Sequence, residues 1–428
     1  MTGGAVSGRS GIATTATVVV PTRTEDRAMP DDGLQEIVDD LAERLQRSVA
    51  IDDPAIRLLA ASRHFGDEDP VRVASVLNRS VSPDLTEDVL GHGIARWTRP
   101  GNVTIPSENT RPRLCAPVRC SGLLLGFLWL IDTDGTLDPA ETAATEAAAA
   151  RAGVVLYRRL VLHERSTARH EAILRELVSS DHAARVQAAE DLRAENLFPE
   201  GPTSFLVLGA RVDGGDDAAA VALESAVQEG LRVGDDVSLT VANRSRAWIL
   251  YAARPAGVPV DAISNRVLAR FRSLAGEGAR VVIGVGSAVD GLESVVDSHR
   301  HAFLAAHAAV LVPSIGAVAR WGELGPYEVL LKLPVDDLLL SSQVPALIEL
   351  ERNDPHGVLV ETLEGFLDHA GDVRSTAELL CVHRATLYHR LKRIETHTGC
   401  SLNSGDDRLT LHLGLKLRAL AAAYRRRA

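Results

Sequence analysis

The chain has 428 residues, 46% of them hydrophobic and 24% charged, with a formal net charge of −11. This composition is close to the globular average and excludes wholesale disorder, and at about 100–200 residues per domain the length predicts two to four domains. The acidic balance excludes a chain that coats nucleic acid along its whole length, and no run reaches the roughly 20 apolar residues of a membrane helix. No basic region followed by an apolar core opens the chain, so no secretory leader is expected. Four cysteines, Cys115, Cys120, Cys381 and Cys400, are too few for a disulfide framework and lack C-x-x-C spacing, which points to a reducing cytoplasm.

Residues 1–30 are rich in Gly, Ser, Thr and Ala without apolar periodicity and are expected to form a disordered tail, with Met29 an alternative start to Met1. Apolar residues at 34, 37, 38, 41 and 45 predict a helix from Leu34 to Leu45. Strands over Ser48 to Ile51 and Ile56 to Ala60 flank a turn at Asp52-Asp53-Pro54. Residues 67–96 read as helical with breaks. The runs Arg113 to Arg119 and Leu123 to Ile131 surround the turn signal Cys120-Ser121-Gly122. Asp138-Pro139 opens a helix that runs to about Ser179, interrupted by no glycine but Gly153. A connector or dimerising coiled helix and a packed helix pair both fit it.

Beyond it, strands at 204–212, 236–242, 247–252 and 280–284 alternate with helices at 217–231, 260–274 and 292–310. The order βαββαβα predicts a mixed sheet with helices on one face. Residues 327–351 are helical with a break at Pro334, and four helices follow near 358–369, 375–380, 384–397 and 407–423.

Charge is unevenly spread. From His356 to the end there are eleven Lys and Arg against eight Asp and Glu, and between His383 and Arg393 four basic residues and no acid. An acidic body with a small basic module suits a regulator with one DNA-reading domain; a solvated helix face gives the same count. The basic residues are nearly all arginine, which with the many alanines points to a high-GC bacterial genome and carries no functional information.

The same stretch reads as a helix-turn-helix. Gly371 stops one helix, Ser375 is placed to cap a short second one with Glu378 as capping-box partner, and Ala377 is small where two helices cross. Val382 plugs the turn. In the third helix Leu387, Leu391 and Ile394 form one buried stripe, and at 100° per residue Ala385, His389, Lys392 and Arg393 lie opposite, flanked by Thr386 and Tyr388, with Arg384 leading. Arg384 can reach a guanine edge, Ala385 a thymine methyl, and Lys392 and Arg393 the phosphates.

This segment resembles the C-terminal helix-turn-helix of the PucR/CdaR family of bacterial transcriptional regulators. Thr376, Ala377, Leu380, Val382, His383, Arg384, Thr386, Leu387, Arg390, Leu391, Arg393 and Ile394, then Thr398-Gly399, stand in register with the family's pattern; Ala385 replaces its Asn and His389 its Tyr. The resemblance implies a DNA-facing set of Ser375, Thr376, His383, Arg384, Ala385, Thr386, Tyr388, His389, Arg390, Lys392 and Arg393. The middle of the chain is similar to that family's degenerate GGDEF-like domain, with Val282-Ile283-Gly284-Val285-Gly286 and the helix of Ser298 and Ala302 as markers. The hairpin tip Asn243-Arg244-Ser245-Arg246 has no carboxylate for two-metal chemistry, so no cyclase activity is expected. Gly214-Gly215-Asp216-Asp217 reads as a loop.

Residues 34–165 resemble a GAF-type sensor, in which His92, Trp97, Cys115, Arg119 and Trp129 are candidates for a small-ligand pocket; an ordinary core or surface position is the favoured reading of each. Cys115 and Cys120 are oxidant-sensor candidates or structural thiols. His299, His301 and His307 lie on one presumed helix, but His299 and His301 are two apart and on different faces, and Ala302 and Phe303 stand three and four beyond His299, which argues against a metal site.

The expectation is a multidomain α+β protein: a tail (1–30), a GAF-like sensor (31–137), a connector helix (138–181), a degenerate GGDEF-like α/β domain (195–315) and an all-α region with the helix-turn-helix (324–428). Its expected function is that of a cytoplasmic, sequence-specific DNA-binding transcriptional regulator, a homo-oligomer whose partners are duplex DNA and a small-molecule effector. No catalytic residue, cofactor, metal or membrane attachment is expected. The alternative is a nucleotide-binding or cyclase-type signalling protein using the middle domain.

Overall fold

The computed structural model describes Val18–Val19 and residues 33–427, apart from 68, 79–80, 105–109, 133–134, 199–203, 215–216, 231–237 and 254–258. Contacts divide the described residues into two compact units, one within 33–166 and a second within 167–427 with Val18–Val19. Within the expected tail, Val18–Val19 (β1) pairs antiparallel with Leu239 and Ser238, so these two residues depart from the tail reading. The rest of 1–30, Met29 included, lies outside the described residues.

The first unit runs α1 (Leu34–Leu45), β2 (Val49–Asp52), β3 (Leu58–Ala61), α2 (Pro70–Asn78), α3 (Pro83–Gly91), β4 (Gly101–Val103), β5 (Arg113–Cys120), β6 (Leu123–Ile131) and the opening of α4 (Pro139–Leu177). Its antiparallel sheet has the order β3-β2-β6-β5-β4. Period-two alternation along β6 sends Leu128 and Leu130 into one core with α1 and α4, and Phe127 and Trp129 into another on the opposite face. Ser121 (φ 52°) and Gly122 (φ 82°) make the tight β5–β6 turn, both central residues left-handed as a two-residue hairpin of this hand demands. Asp138 and Glu141 cap α4 reciprocally, each side chain accepting the other's backbone N–H at 2.7 and 2.9 Å. Gly153 sits inside this 39-residue helix because a Cβ there would collide with the Arg119 carbonyl of β5.

The second unit continues with α5 (His182–Ala194), β7 (Ser204–Asp213), α6 (Asp217–Gly230), β8 (Ser238–Asn243), β9 (Arg246–Ala253), α7 (Val260–Ala275), β10 (Arg280–Val285), β11 (Val289–Asp290), α8 (Val295–Leu311) and β12 (Val318–Arg320). The sheet order is β1-β8-β9-β7-β10-β12, with β11 on β7. It is mixed: β10 runs parallel to β12 and antiparallel to β7.

Helices cover both faces, which corrects the one-face expectation. Leu206, Leu208 and Ala210 of β7 pack with α6 and α7, while Phe205 and Val207 pack with α8, α5 and the end of α4. α8 forms most of the second layer, joined in the same core by α5, a separate helix capped by Asp181. Gly284 and Gly286 let α8 lie directly on β10; a Cβ at either would overlap the Ala302 or Ser298 carbonyl.

Seven further helices among the described residues complete the unit: α9 (Tyr327–Leu330), α10 (Val335–Ser341), α11 (Pro345–Arg352), α12 (Val358–Asp368), α13 (Val373–Leu379), α14 (Arg384–Thr398) and the 21-residue α15 (Gly405–Arg425). The helix α15 belongs to two cores. Leu411 and Leu415 pack with α11 to α14, whereas Leu417, Leu420 and Ala421 pack with α8, α9, α10 and β12.

Candidate nucleic-acid interface

Local chemistry sets the angle between α12, α13 and α14. After α12, Ala370 and Gly371 are both left-handed (φ 54° and 82°), and the Gly371 N–H donates back to the Phe366 carbonyl at 2.8 Å. Asp372, and not Ser375, caps α13: its carboxylate accepts from Ser375 N at 2.8 Å and Arg374 N at 3.4 Å. Hydrogen bonds from Ser375 hold the Asp372 carboxyl below its usual range. Glu378 accepts from Arg374 Nε at 3.0 Å and closes no capping box. Cys381 turns left-handed (φ 52°), the Val382 N–H donates to Ala377 O at 3.0 Å, and His383 Nδ1 accepts from Ala385 N at 3.2 Å to cap α14.

The faces of α14 separate cleanly. Leu387, Leu391 and Ile394 are buried with Leu363 and Phe366 of α12, Ala377 of α13 and Leu411 of α15. Burial of each such side chain contributes about 1.5–3 kcal/mol. Asp368 ties α12 to α15 through His412 Nε2 and Lys416 Nζ at 2.7 and 2.8 Å. Burial opposes ionisation of Asp368, but these hydrogen bonds outweigh it and hold its carboxyl below the usual range.

Outward, Arg384, Ala385, Thr386, Tyr388, His389, Lys392 and Arg393 are all exposed. Among the described residues no ion pair engages Arg384, Lys392 or Arg393. The one carboxylate on α14, Glu395, is spent on the Leu402 N–H at 2.8 Å. Arg384 stands at the helix start, and Lys392 and Arg393 follow a little over two turns later.

Four expected members make contacts within the fold, His383 while remaining exposed. Thr376 is fully buried and donates to the Asp372 carbonyl at 2.6 Å, so it supports the turn. Arg390 is half-buried with Nη1 3.3 Å from Thr362 Oγ1, fastening α14 to α12. Ser375 is half-buried with its N–H in the cap, and the His383 ring serves as a cap.

Of the five pocket candidates of the first unit, Cys115, Trp129 and Trp97 share one apolar core, and Trp129 alone of the five lines the cavity over the sheet. That cavity, of about 30 Å³, lies beside α2 and α3 and is lined by Asp52, Arg72, Arg113 and Trp129 among apolar side chains. Cys115 lies buried cross-strand from Trp129, and burial raises its thiol pKa. Trp97 packs against the same core, Arg119 Nε donates to the Trp97 carbonyl at 3.0 Å, and His92 is exposed with Nδ1 2.9 Å from the Asp88 carbonyl.

The charged residues that sequence reading missed are the buried ones. Asp69 accepts Arg113 Nη2 at 2.7 Å, Arg72 N at 2.8 Å and Arg111 N at 2.9 Å; burial opposes its ionisation, yet these bonds hold its carboxyl low. Burial pushes Asp52 up to about 7.

In the middle domain the hairpin tip lies between β8 and β9, with Asn243 Oδ1 accepting from Arg246 N at 3.1 Å and Arg244 3.8 Å from Asp217. His299 stands edge-on to Trp248, while His301 stacks on Trp321 at 4.1 Å, on a different side of α8. Among the described residues no group of three His, Cys, Asp or Glu stands close enough to hold a metal, and no helix is long and apolar enough to cross a membrane.

Comparison with known proteins agrees with this geometry. Residues 359–417 match the PucR C-terminal helix-turn-helix domain and residues 180–308 the GGDEF-like domain. The chain is 21% identical over 405 residues to the proline-responsive transcriptional activator PutR of Bacillus subtilis (strain 168), covering 92% of this chain and 98% of PutR. It is 23% identical to the DNA-binding transcriptional activator AdeR of the same organism, over 90% of this chain and 93% of AdeR. The carbohydrate diacid regulator of Escherichia coli (strain K12) is 39% identical over 71 residues, 17% of this chain and 18% of that protein.

Proposed function

We propose that this chain, a regulator of the PucR/CdaR type by its two matched domains, controls transcription by laying α14 in the major groove of duplex DNA and adjusting that grip in response to a small molecule. The observation that carries the reading is the outer face of α14: exposed, acid-free, and led by an arginine whose guanidinium has no partner among the described residues. On it Arg384, Ala385, Thr386, Tyr388 and His389 face base edges, and Lys392 and Arg393 face phosphates. Ser375, Thr376, His383 and Arg390 act as positioning residues for that helix.

The protein works in the cytoplasm as a homo-oligomer, so operators carry half-sites about one helical turn apart or multiples of it. The small molecule is a metabolite, as the proline named for PutR suggests. Residues 31–137 are the GAF-like candidate for the sensor. Their cavity of about 30 Å³ has room for roughly one water, so an effector there requires α2 or α3 to move.

Genome-wide mapping of bound DNA, followed by mobility shifts of the full chain on a recovered site and on random duplex at two salt concentrations, tests the proposal. The recovered site should bind more tightly, and both affinities should fall with salt. A chain that shifts neither duplex at low salt overturns it. Incubation with GTP and Mg²⁺ should return no product; turnover would favour the signalling-enzyme reading.

A further inference from the structure

The middle domain holds a cleft of about 780 Å³ that DNA reading leaves unused. Trp248 of β9, Arg300 and Phe303 of α8 and Tyr424 of α15 are among the residues that line it. All of it lies within the second unit. The volume falls in the range of small-molecule sites, roughly 300–1,000 Å³.

Every charged group facing this space is a cation. Arg211, Arg246 and Arg300 line it, and no described Asp or Glu does. Arg300 has an exposed neighbour, Asp297, at 3.9 Å. Arg246 lies 5.9 Å over the Phe303 ring, and no hydrogen bond or ion pair engages its guanidinium among the described residues.

A relay adds one more donor. Arg211 Nη1 is 2.8 Å from His307 Nδ1, and His307 Nε2 is 2.7 Å from the Tyr424 hydroxyl. A guanidinium cannot accept, so Nδ1 accepts and Nε2 carries the proton. Burial, with the nearby arginines, pushes His307 down to about 4, which keeps the ring in this neutral form at neutral pH. Nε2–H therefore donates to the Tyr424 oxygen, and the hydroxyl proton of Tyr424 is left for another acceptor.

Beside these donors runs an aromatic wall. Trp248, His299 and Phe303 are in ring contact at 5.0 and 4.7 Å between successive centroids. Donors on one side and flat rings on the other define the complement.

We propose that this cleft binds a planar aromatic carboxylate, its ring against Trp248, His299 and Phe303 and its carboxylate on Arg246, with Arg211 and Tyr424 alongside. Guanidinium pairs with carboxylate bidentately, and ring faces attract ring faces. A metal-bound polyphosphate fits less well, because the lining offers no carboxylate to share a divalent cation and no glycine-rich run of backbone N–H groups.

Titration calorimetry on the full chain tests this with benzoate, indole-3-carboxylate and quinoline-2-carboxylate as probes, and indole, acetate and GTP with Mg²⁺ as comparators. At least one aromatic carboxylate should bind at one site, with indole and acetate weaker by about tenfold or more. Arg246→Gln, at an exposed position, should weaken that binding by about tenfold or more. Phe303→Leu should weaken it too, and Arg425→Gln, outside the cleft, should leave it unchanged. No binding by any of the three carboxylates, equal affinity for indole and its carboxylate, indifference to Arg246→Gln, or tighter binding of GTP with Mg²⁺ would each overturn the assignment. Loss of DNA binding leaves these measurements untouched, so the two readings fail separately.

Discussion

Two charge clusters are handled in opposite ways. In the first unit Asp69 and Arg113 are drawn almost wholly out of water and bonded to each other, with Arg72 buried and Asp52 half-buried close by. On α14, Arg384, Lys392 and Arg393 stand in water on a rigid helix without a pairing carboxylate. Desolvated charge acts on the fold, because removing one partner leaves the other stranded. Solvated, unpaired charge contributes little to the fold, and its interactions are held for another molecule, with release of the counterions that DNA brings.

The sharpest way to break this contrast is Asp69→Ala. It should destabilise the first unit by about 3–5 kcal/mol, seen as an earlier transition in urea with Trp129 emission as reporter. A loss under about 1 kcal/mol would place both clusters in one class. Next, Leu387→Ala should cost the C-terminal helices about 2–5 kcal/mol and lower the hydrogen-exchange protection of 358–417 along with DNA affinity. Arg384→Ala should leave stability within about 0.5 kcal/mol and cost about 1–3 kcal/mol at a cognate site, relaxing specificity. Lys392→Ala should weaken all sequences alike and flatten the salt slope by about one. Equal behaviour of these two variants on cognate and random duplex would contradict the division of α14 into reading and gripping ends.

The smallest effect concerns pH. The folded state raises Asp52 from 3.8 to about 7, so it binds that proton more tightly than the unfolded chain does. Its contribution is most favourable below about pH 4, declines as pH rises to about 7, and is constant above. Melting curves of the full chain between pH 5 and 8 should show this decline flattened in Asp52→Asn; parallel curves would remove Asp52 from the account.

Strong periodicity made much of the fold legible. The helix Leu34–Leu45 and the strand Leu123–Ile131 have the predicted ends, since an unbroken apolar pattern leaves no second solution. The helix α5 is not predicted from sequence although the long helix is ended at about Ser179; Asp181, just beyond that end, is the available start signal, and it does accept from Ala183 N at 2.9 Å. Asp372 and Ser375 are both good caps, and the left-handed step at Gly371 delivers Asp372.

The inward lean of Arg390 was also within reach. Three residues after Leu387 and one before Leu391, it lies about 60° from the centre of the buried stripe. The buried charges of the first unit were not legible. Asp52, Asp69 and Arg113 lie far apart in sequence, and each reads locally as an ordinary surface residue until the sheet brings them together.

The shared membership of α15 in two cores has a mechanical consequence. From Leu411 to Tyr424 the helix rises about 20 Å without glycine or proline weakness other than Gly414, which is itself packed against Val344 and Leu347. A tilt imposed near Tyr424 swings the far end, and the groove-facing helix seated on that end travels with it.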